Sequence, residues 1–137
     1  MAGSQGTTQN LRTTQEVPSE KKSKSEELKR FLRENRKNII AAANTEGDGF
    51  FEESKGLDYC TIGKDKEALY QFYVAIEKKF DAPALYRETA KLLHKYGLYD
   101  EEVKVLKKGA AIVPATNRHR KELLKMLQDA TTIRKTR

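Results

Sequence analysis

The sequence predicts an all-α protein, with antiparallel helix pairs stacked in a short repeat-like array or a small helical bundle. Three observations predict it. Apolar residues recur at helical spacing in five segments, short breaks rich in Gly or Pro separate those segments, and no stretch alternates as a strand would. The chain has 137 residues, 34% charged and 37% hydrophobic, with no Trp and three Pro. That is room for one domain of modest core, with a tail.

The stretch "MAGSQGTTQNLRTTQEVPSEKKSK" has little apolar content and no period, and residues 1–22 are expected to be a disordered tail. The helical domain is expected over 23–133, with a basic end at 134–137. Helix one should begin near Ser23 or Ser25, where Ser23 and Glu26 have capping-box spacing. Leu28, Phe31, Leu32, Ile39, Ile40 and Ala43 then share one face, and "NTEGDG" stops the helix. Residues 45–63 read as a Gly- and acid-rich connection with a short turn at "FFEES".

Helix two is expected over Lys64 to Phe80, facing inward through Ala68, Leu69, Phe72, Tyr73 and Ile76. Asp81-Ala82-Pro83 breaks it, and Pro83 suits the first turn of helix three. That helix, about 83–96, places Leu85, Tyr86, Ala90, Leu93 and Tyr96 on one face, and Gly97 provides a left-handed cap. Helix four, about 100–112, opens on Asp100, Glu101 and Glu102, which suit the positive end of a helix dipole, and stops at Pro114. Helix five should start at Thr116 or Asn117 and bury Leu123, Leu124, Leu127 and Ala130.

The net charge of +7 is uneven: +4 over residues 1–40, −4 over 41–63, +2 over 64–114 and +5 over 115–137. An acidic partner for the ends is the implication. The single Cys60 excludes an internal disulfide and fits a reducing compartment. No segment approaches the roughly 18 continuous apolar residues of a membrane span. The expectation is a protein without membrane association, placed in the cytoplasm, with the nucleus as the alternative.

Residues 83–116 resemble a tetratricopeptide repeat, a helix-turn-helix unit of about 34 residues. Counting from Pro83, Tyr86 takes the large aromatic position and Ala90 the small one, and Gly97 and Tyr99 fall on the turn ahead of Asp100-Glu101. Leu106, Gly109 and Pro114 take the late large, late small and terminal positions. Thr89, Leu93 and Glu102 depart from the pattern. Residues 49–82 match more loosely, through Gly56, Gly63, Ala68, Leu69, Phe72 and Ala75, and "FFEESKGLDYCTI" makes a poor first helix. Helix five would then be a capping helix.

The resemblance implies a groove lined by the first helix of each unit, holding an extended peptide. Its ligand-facing positions here are Arg87, Lys91, His94 and Lys95, which the sequence places at i, i+4, i+7 and i+8. Such a basic stripe suits acidic side chains or a terminal carboxylate. Lys91 stands where carboxylate-binding members share an Asn. The expected function is a non-catalytic interaction module or adaptor for an acidic peptide or protein surface. The alternative is nucleic-acid contact through a basic C-terminus, using Arg118, Arg120, Lys121, Lys125, Arg134 and Lys135, with Arg137 beyond them. No aromatic residues interleave these cations for base stacking.

No metal or cofactor is expected. "NTEGDGFF" imitates a calcium loop through Asn44, Glu46, Asp48 and Gly49, but its twelfth position is Lys55, a cation where the motif needs a bidentate acid. Catalysis has little support either. His94 and His119 form no recognisable pairing with Cys60, and adjacent acids such as Glu52-Glu53 diverge by about 100° on a helix.

Overall fold

A computed structural model describes residues 13–136, with side chains described for 23–132. The expected tail, 1–22, falls outside the described residues as far as residue 12. Seven helices are described: α1 (Thr13–Glu34), α2 (Arg36–Ala43), α3 (Phe50–Thr61), α4 (Asp65–Glu77), α5 (Pro83–Lys95), α6 (Tyr99–Ile112) and α7 (Arg120–Thr136). Among the described residues there is no strand.

Helix one of the sequence reading is two helices that meet at one residue. Asn35 lies between them at φ −100° and ψ 7°, and its side-chain amide donates to Phe31 O at 2.9 Å. The ladder continues through the joint, since Asn35 N–H also donates to Phe31 O at 3.0 Å and Ile39 N–H to Asn35 O at 2.9 Å. Ser23 lies inside α1 and so caps nothing. Of the expected inward face, Leu28 and Ile39 are buried, whereas Ile40 is exposed. Two ion pairs tie this segment to α4: Lys66 with Glu27 at 2.9 Å and Arg36 with Glu77 at 3.0 Å. The hydrogen bond from Lys66 also draws the Glu27 carboxyl below its ordinary range.

The largest correction concerns residues 45–63. The expected connection contains a full helix, α3. Gly49 takes φ +109° at its N-cap, and Asp48 Oδ1 accepts from Phe50 N–H at 3.0 Å. Glu52 and Glu53 then complement the dipole in the first turn. Gly56, a poor residue for an isolated helix, is there because α3 lies against α4: a Cβ on it would meet the Phe72 ring at 2.4 Å. Tertiary contact overrides propensity at this position.

Two hairpins follow, α3–α4 and α5–α6, and their turns are built alike. In the first, Lys64 N–H donates to Tyr59 O (2.9 Å) and Gly63 N–H to Cys60 O (3.1 Å). In the second, Leu98 N–H donates to Leu93 O (2.9 Å) and Gly97 N–H to His94 O (3.0 Å). Each bond of the second turn lies 34 positions after its counterpart. Gly63 and Gly97 supply the positive φ, +75° and +77°, that such a helix end requires.

The core runs through α4, α5 and α6. Ala68, Leu69, Phe72, Leu85, Tyr86, Ala90, Leu93 and Leu106 are all buried. α2 packs on α4, α4 meets α5, and α7 lies along α6 and touches α5. α7 begins at Arg120, later than Thr116 or Asn117, because Pro114 to His119 form turns. Leu123 and Ala130 are buried as expected and Leu127 is half-buried, but Leu124 is exposed. It sits one residue past Leu123, about 100° round the helix from the buried face.

One joint is held by a buried ammonium. Lys78, at the end of α4, lies 3.1 Å from Glu52 Oε2 and donates to Glu46 O at 2.8 Å, with 2% of its side chain exposed. The acidic loop that imitates a calcium site thus receives the chain's own cation.

Candidate basic surfaces

The stripe expected on helix three lies along α5, and each member meets an acid of the same chain. Arg87 contacts Glu88 (3.2 Å) and Glu122 of α7 (3.2 Å). Burial alone would lower the Arg87 pKa, but the hydrogen bonds to Glu88 and Glu122 outweigh it and raise it. Lys91 reaches Glu88 at 3.5 Å, and Lys95 reaches Asp65 at 3.1 Å, a bond that raises the lysine's pKa. The Tyr96 hydroxyl also donates to Asp65, and burial together with that bond pushes its pKa up.

His94 explains one departure from the repeat pattern. Its Nδ1 lies 3.1 Å from Glu102 Oε1, and the Glu102 side chain is buried. The buried carboxylate is accommodated because a histidine faces it. Thr89 is explained similarly. It is fully buried, and its hydroxyl donates to Leu85 O at 2.6 Å, so no polar group is left unmet.

Three of these stripe residues keep open side chains, Lys91 at 62%, Lys95 at 61% and His94 at 50% exposure. Arg87 is more enclosed and fastens α5 to α7. Beside it, Glu53 of α3 is buried, with no described hydrogen bond to its carboxylate. Burial raises its pKa, and the nearby Arg87 charge opposes that rise.

The C-terminal cations are partly occupied. Arg120 donates twice to Ala110 O, at 2.8 and 3.2 Å, and so locks the start of α7 to α6. Lys125 pairs with Asp129 at 3.5 Å, and Arg118 donates to His119. Lys121 is exposed. The side chains of Arg134 and Lys135 lie outside the described residues.

A third basic surface was missed by sequence reasoning, because its residues come from distant segments. A cleft of about 650 Å³ opens between α1–α2 on one side and α4 and α6 on the other. Lys29, Arg33 and Arg36 line one wall, and Lys104 and Lys108 the other. Leu32, Ile39, Tyr73 and Val105 form its floor. Glu101 is its single carboxylate. It accepts from Tyr73 Oη at 3.0 Å and pairs with Lys104 at 3.4 Å. Burial first, and then the Glu101 charge, raise the Tyr73 phenol well above its ordinary pKa. The signal in the sequence was the spacing Lys29, Arg33, Arg36 beside Lys104, Lys108, which is legible only once α1 and α6 are known to be neighbours.

Among the described residues, no group of three or more His, Cys, Asp or Glu is placed to hold a metal ion. No described helix is long and apolar enough to cross a membrane. Burial, with Asp65 and Glu88 nearby, raises the Cys60 pKa and keeps it a neutral thiol. Comparison with protein-family models, with curated proteins and with solved structures found no match to this chain.

Proposed function

We propose that the chain is a non-catalytic protein-interaction module, a short tetratricopeptide-like array that holds an acidic peptide or protein surface. The observation that supports this reading best is the pair of hairpins, closed by the same two hydrogen bonds at a 34-residue interval and followed by α7. In this reading α3, α5 and α7 form the binding face, with α7 as the capping helix. Lys91 and Lys95 meet the partner's carboxylates. The Lys91–Glu88 pair is long and largely open to water, and such pairs are worth only about 0–1 kcal/mol, so an incoming carboxylate replaces it at little cost. Lys95 keeps an open ammonium beside the more enclosed Asp65, which Tyr96 also holds. Arg87 has a positioning role, since it already spans α5 and α7, and His94 is held by Glu102.

The test is affinity capture from the native cell with wild type and with Lys91→Glu/Lys95→Glu in parallel. The reading expects acidic partners that wild type retains and the double variant loses. Retention by both would remove the α5 stripe from the proposal. Nucleic-acid contact is the rival outcome. Deleting residues 118–137 is a poor probe of it, because α7 covers core residues. Arg118→Gln/Lys121→Gln/Lys125→Gln changes only exposed charges, and salt-sensitive binding of duplex or single strands lost in that variant would replace the present reading.

A further inference from the structure

We infer that the cleft between α1–α2 and α6 is a binding site for a small polyphosphorylated molecule, one that presents several phosphate groups close together. The inference goes beyond the α5 stripe and stands even if Lys91 and Lys95 prove silent, since no residue of α5 lines the cleft.

Charge comes first. Five cations and one carboxylate line the cleft, whereas the whole chain has 27 basic and 20 acidic residues. All five cations are exposed. Lys29 sits 3.9 Å from Glu26, Arg36 is paired with Glu77, and Lys104 with Glu101. No ion pair is described for Arg33 or Lys108. Burial and the Glu101 charge raise the Tyr73 pKa, and the Arg36 charge opposes them, so a guanidinium of the first wall acts at the floor. Cations gathered on a concave surface raise the local concentration of anions.

Hydrogen bonding then selects among anions. Arg and Lys side chains donate and cannot accept. In the one carboxylate, Glu101, Oε1 already takes the Tyr73 hydroxyl at 3.0 Å and Oε2 the Lys104 ammonium at 3.4 Å. The side chains left open in the cleft are therefore donors, and a ligand rich in acceptors suits them. Phosphate oxygens are acceptors, and a guanidinium grips two of them at once. A peptide brings N–H groups as well, for which these side chains hold no open acceptor. The floor gives little to an apolar side chain or a base, because Ile39, Tyr73 and Val105 are buried and the Tyr73 hydroxyl is spent on Glu101. Size points the same way, since about 650 Å³ is the volume of a small-molecule site. A phosphate monoester carries about −1.5 to −2 charges at pH 7, so about two or three of them balance the lining. A soluble polyphosphate and the headgroup of a phosphorylated inositol lipid share this chemistry.

The experiment is isothermal titration calorimetry of the full chain at about 0.15 M ionic strength, with tripolyphosphate, inorganic phosphate, ATP, a single-stranded oligonucleotide and an oligoglutamate peptide as probes. The expected result is saturable binding of tripolyphosphate, roughly tenfold or more weaker binding of inorganic phosphate, and no tighter binding of the other three. Arg33→Gln/Lys108→Gln should weaken tripolyphosphate binding roughly tenfold or more at an unchanged melting temperature. Lys108→Gln alone, with a smaller loss expected, decides the matter if the double variant melts early. Lys91→Gln/Lys95→Gln removes as many charges from α5 and should leave the binding unchanged. Sedimentation with vesicles carrying a bisphosphorylated inositol lipid separates the two sources. Co-sedimentation that the Arg33/Lys108 variant loses names a lipid headgroup, and wild type left in the supernatant names a soluble ligand. Equal affinity for inorganic phosphate, tighter binding of ATP, the oligonucleotide or the peptide, an equal loss in the α5 variant, or a folded Arg33/Lys108 variant that binds like wild type would each overturn the proposal.

Discussion

Gly109 shows how one missing side chain sets the spacing of a helix pair. It is buried inside α6, and a Cβ there would lie 2.7 Å from Tyr86 Cγ and 2.8 Å from Tyr86 Cβ. Tyr86 has no room to retreat, because its ring is buried and its hydroxyl donates to Phe80 O at 2.6 Å. Gly109→Ala would gain about 1 kcal/mol of helix propensity. Overpacking costs about 1–3 kcal/mol and wins. The expected outcome is a lower melting temperature for the Ala variant and a larger drop for Gly109→Leu, read by circular dichroism. Glu53 makes a prediction of another kind. Its folded pKa is raised above the ordinary 4.5, with burial as the first cause. The stability this group contributes is therefore fully present below about pH 4.5 and lost as pH rises through the folded value. Glu53→Gln should raise the melting temperature at pH 7, and the gain should shrink at pH 4. An equal gain at both pH values would show that the carboxylate is not the source.

At the scale of the element, α4, α5 and α6 were legible in the sequence because their periodicity and their stops agree. Pro83 opens α5, Gly97 closes it with φ +77°, and the acidic trio opens α6. α3 was not legible. Its sequence, with exposed Phe50 and Phe51 and a central Gly56, lacks a clean apolar stripe, and it forms because α4 supplies the surface. The stripe Arg87, Lys91, His94 and Lys95 was visible as a face, but not its partners. Glu122 and Asp65 lie 35 and 30 residues away, separations that no helical spacing reveals. The cleft was invisible for the same reason. Lys78 makes the corresponding prediction, since it joins the end of α4 to the loop before α3. Lys78→Met would leave Glu46 O and Glu52 without their donor, at a cost of about 1–3 kcal/mol. Hydrogen exchange should quicken at the amides of residues 44–50, ahead of those in α5 and α6. Unchanged exchange there would mean that the loop is held by other contacts.

Across the whole molecule, α4 is the hub on which α1, α2, α3 and α5 pack, while α6 lies on α5 and α7 covers α6 and touches α5. α7 therefore closes the far side of the α5–α6 hairpin. Removing residues 118–137 takes away buried Leu123 and Ala130, Arg120 with its two bonds to Ala110 O, and Glu122 from Arg87. The truncated chain is expected to lose its cooperative calorimetric transition, and a transition within a few degrees of the full chain's would show that α7 is dispensable. Lys78 also has a use at this scale. Its amine is shielded where the amines of Lys91, Lys95 and Lys104 stand in water, with 2% exposure against 62%, 61% and 69%. An amine-acylating reagent reaches it only when the joint between the α1–α2 segment and the first hairpin opens. The rate at which mass spectrometry finds Lys78 acylated, measured against the surface lysines in the same tube, is therefore a clock for that opening.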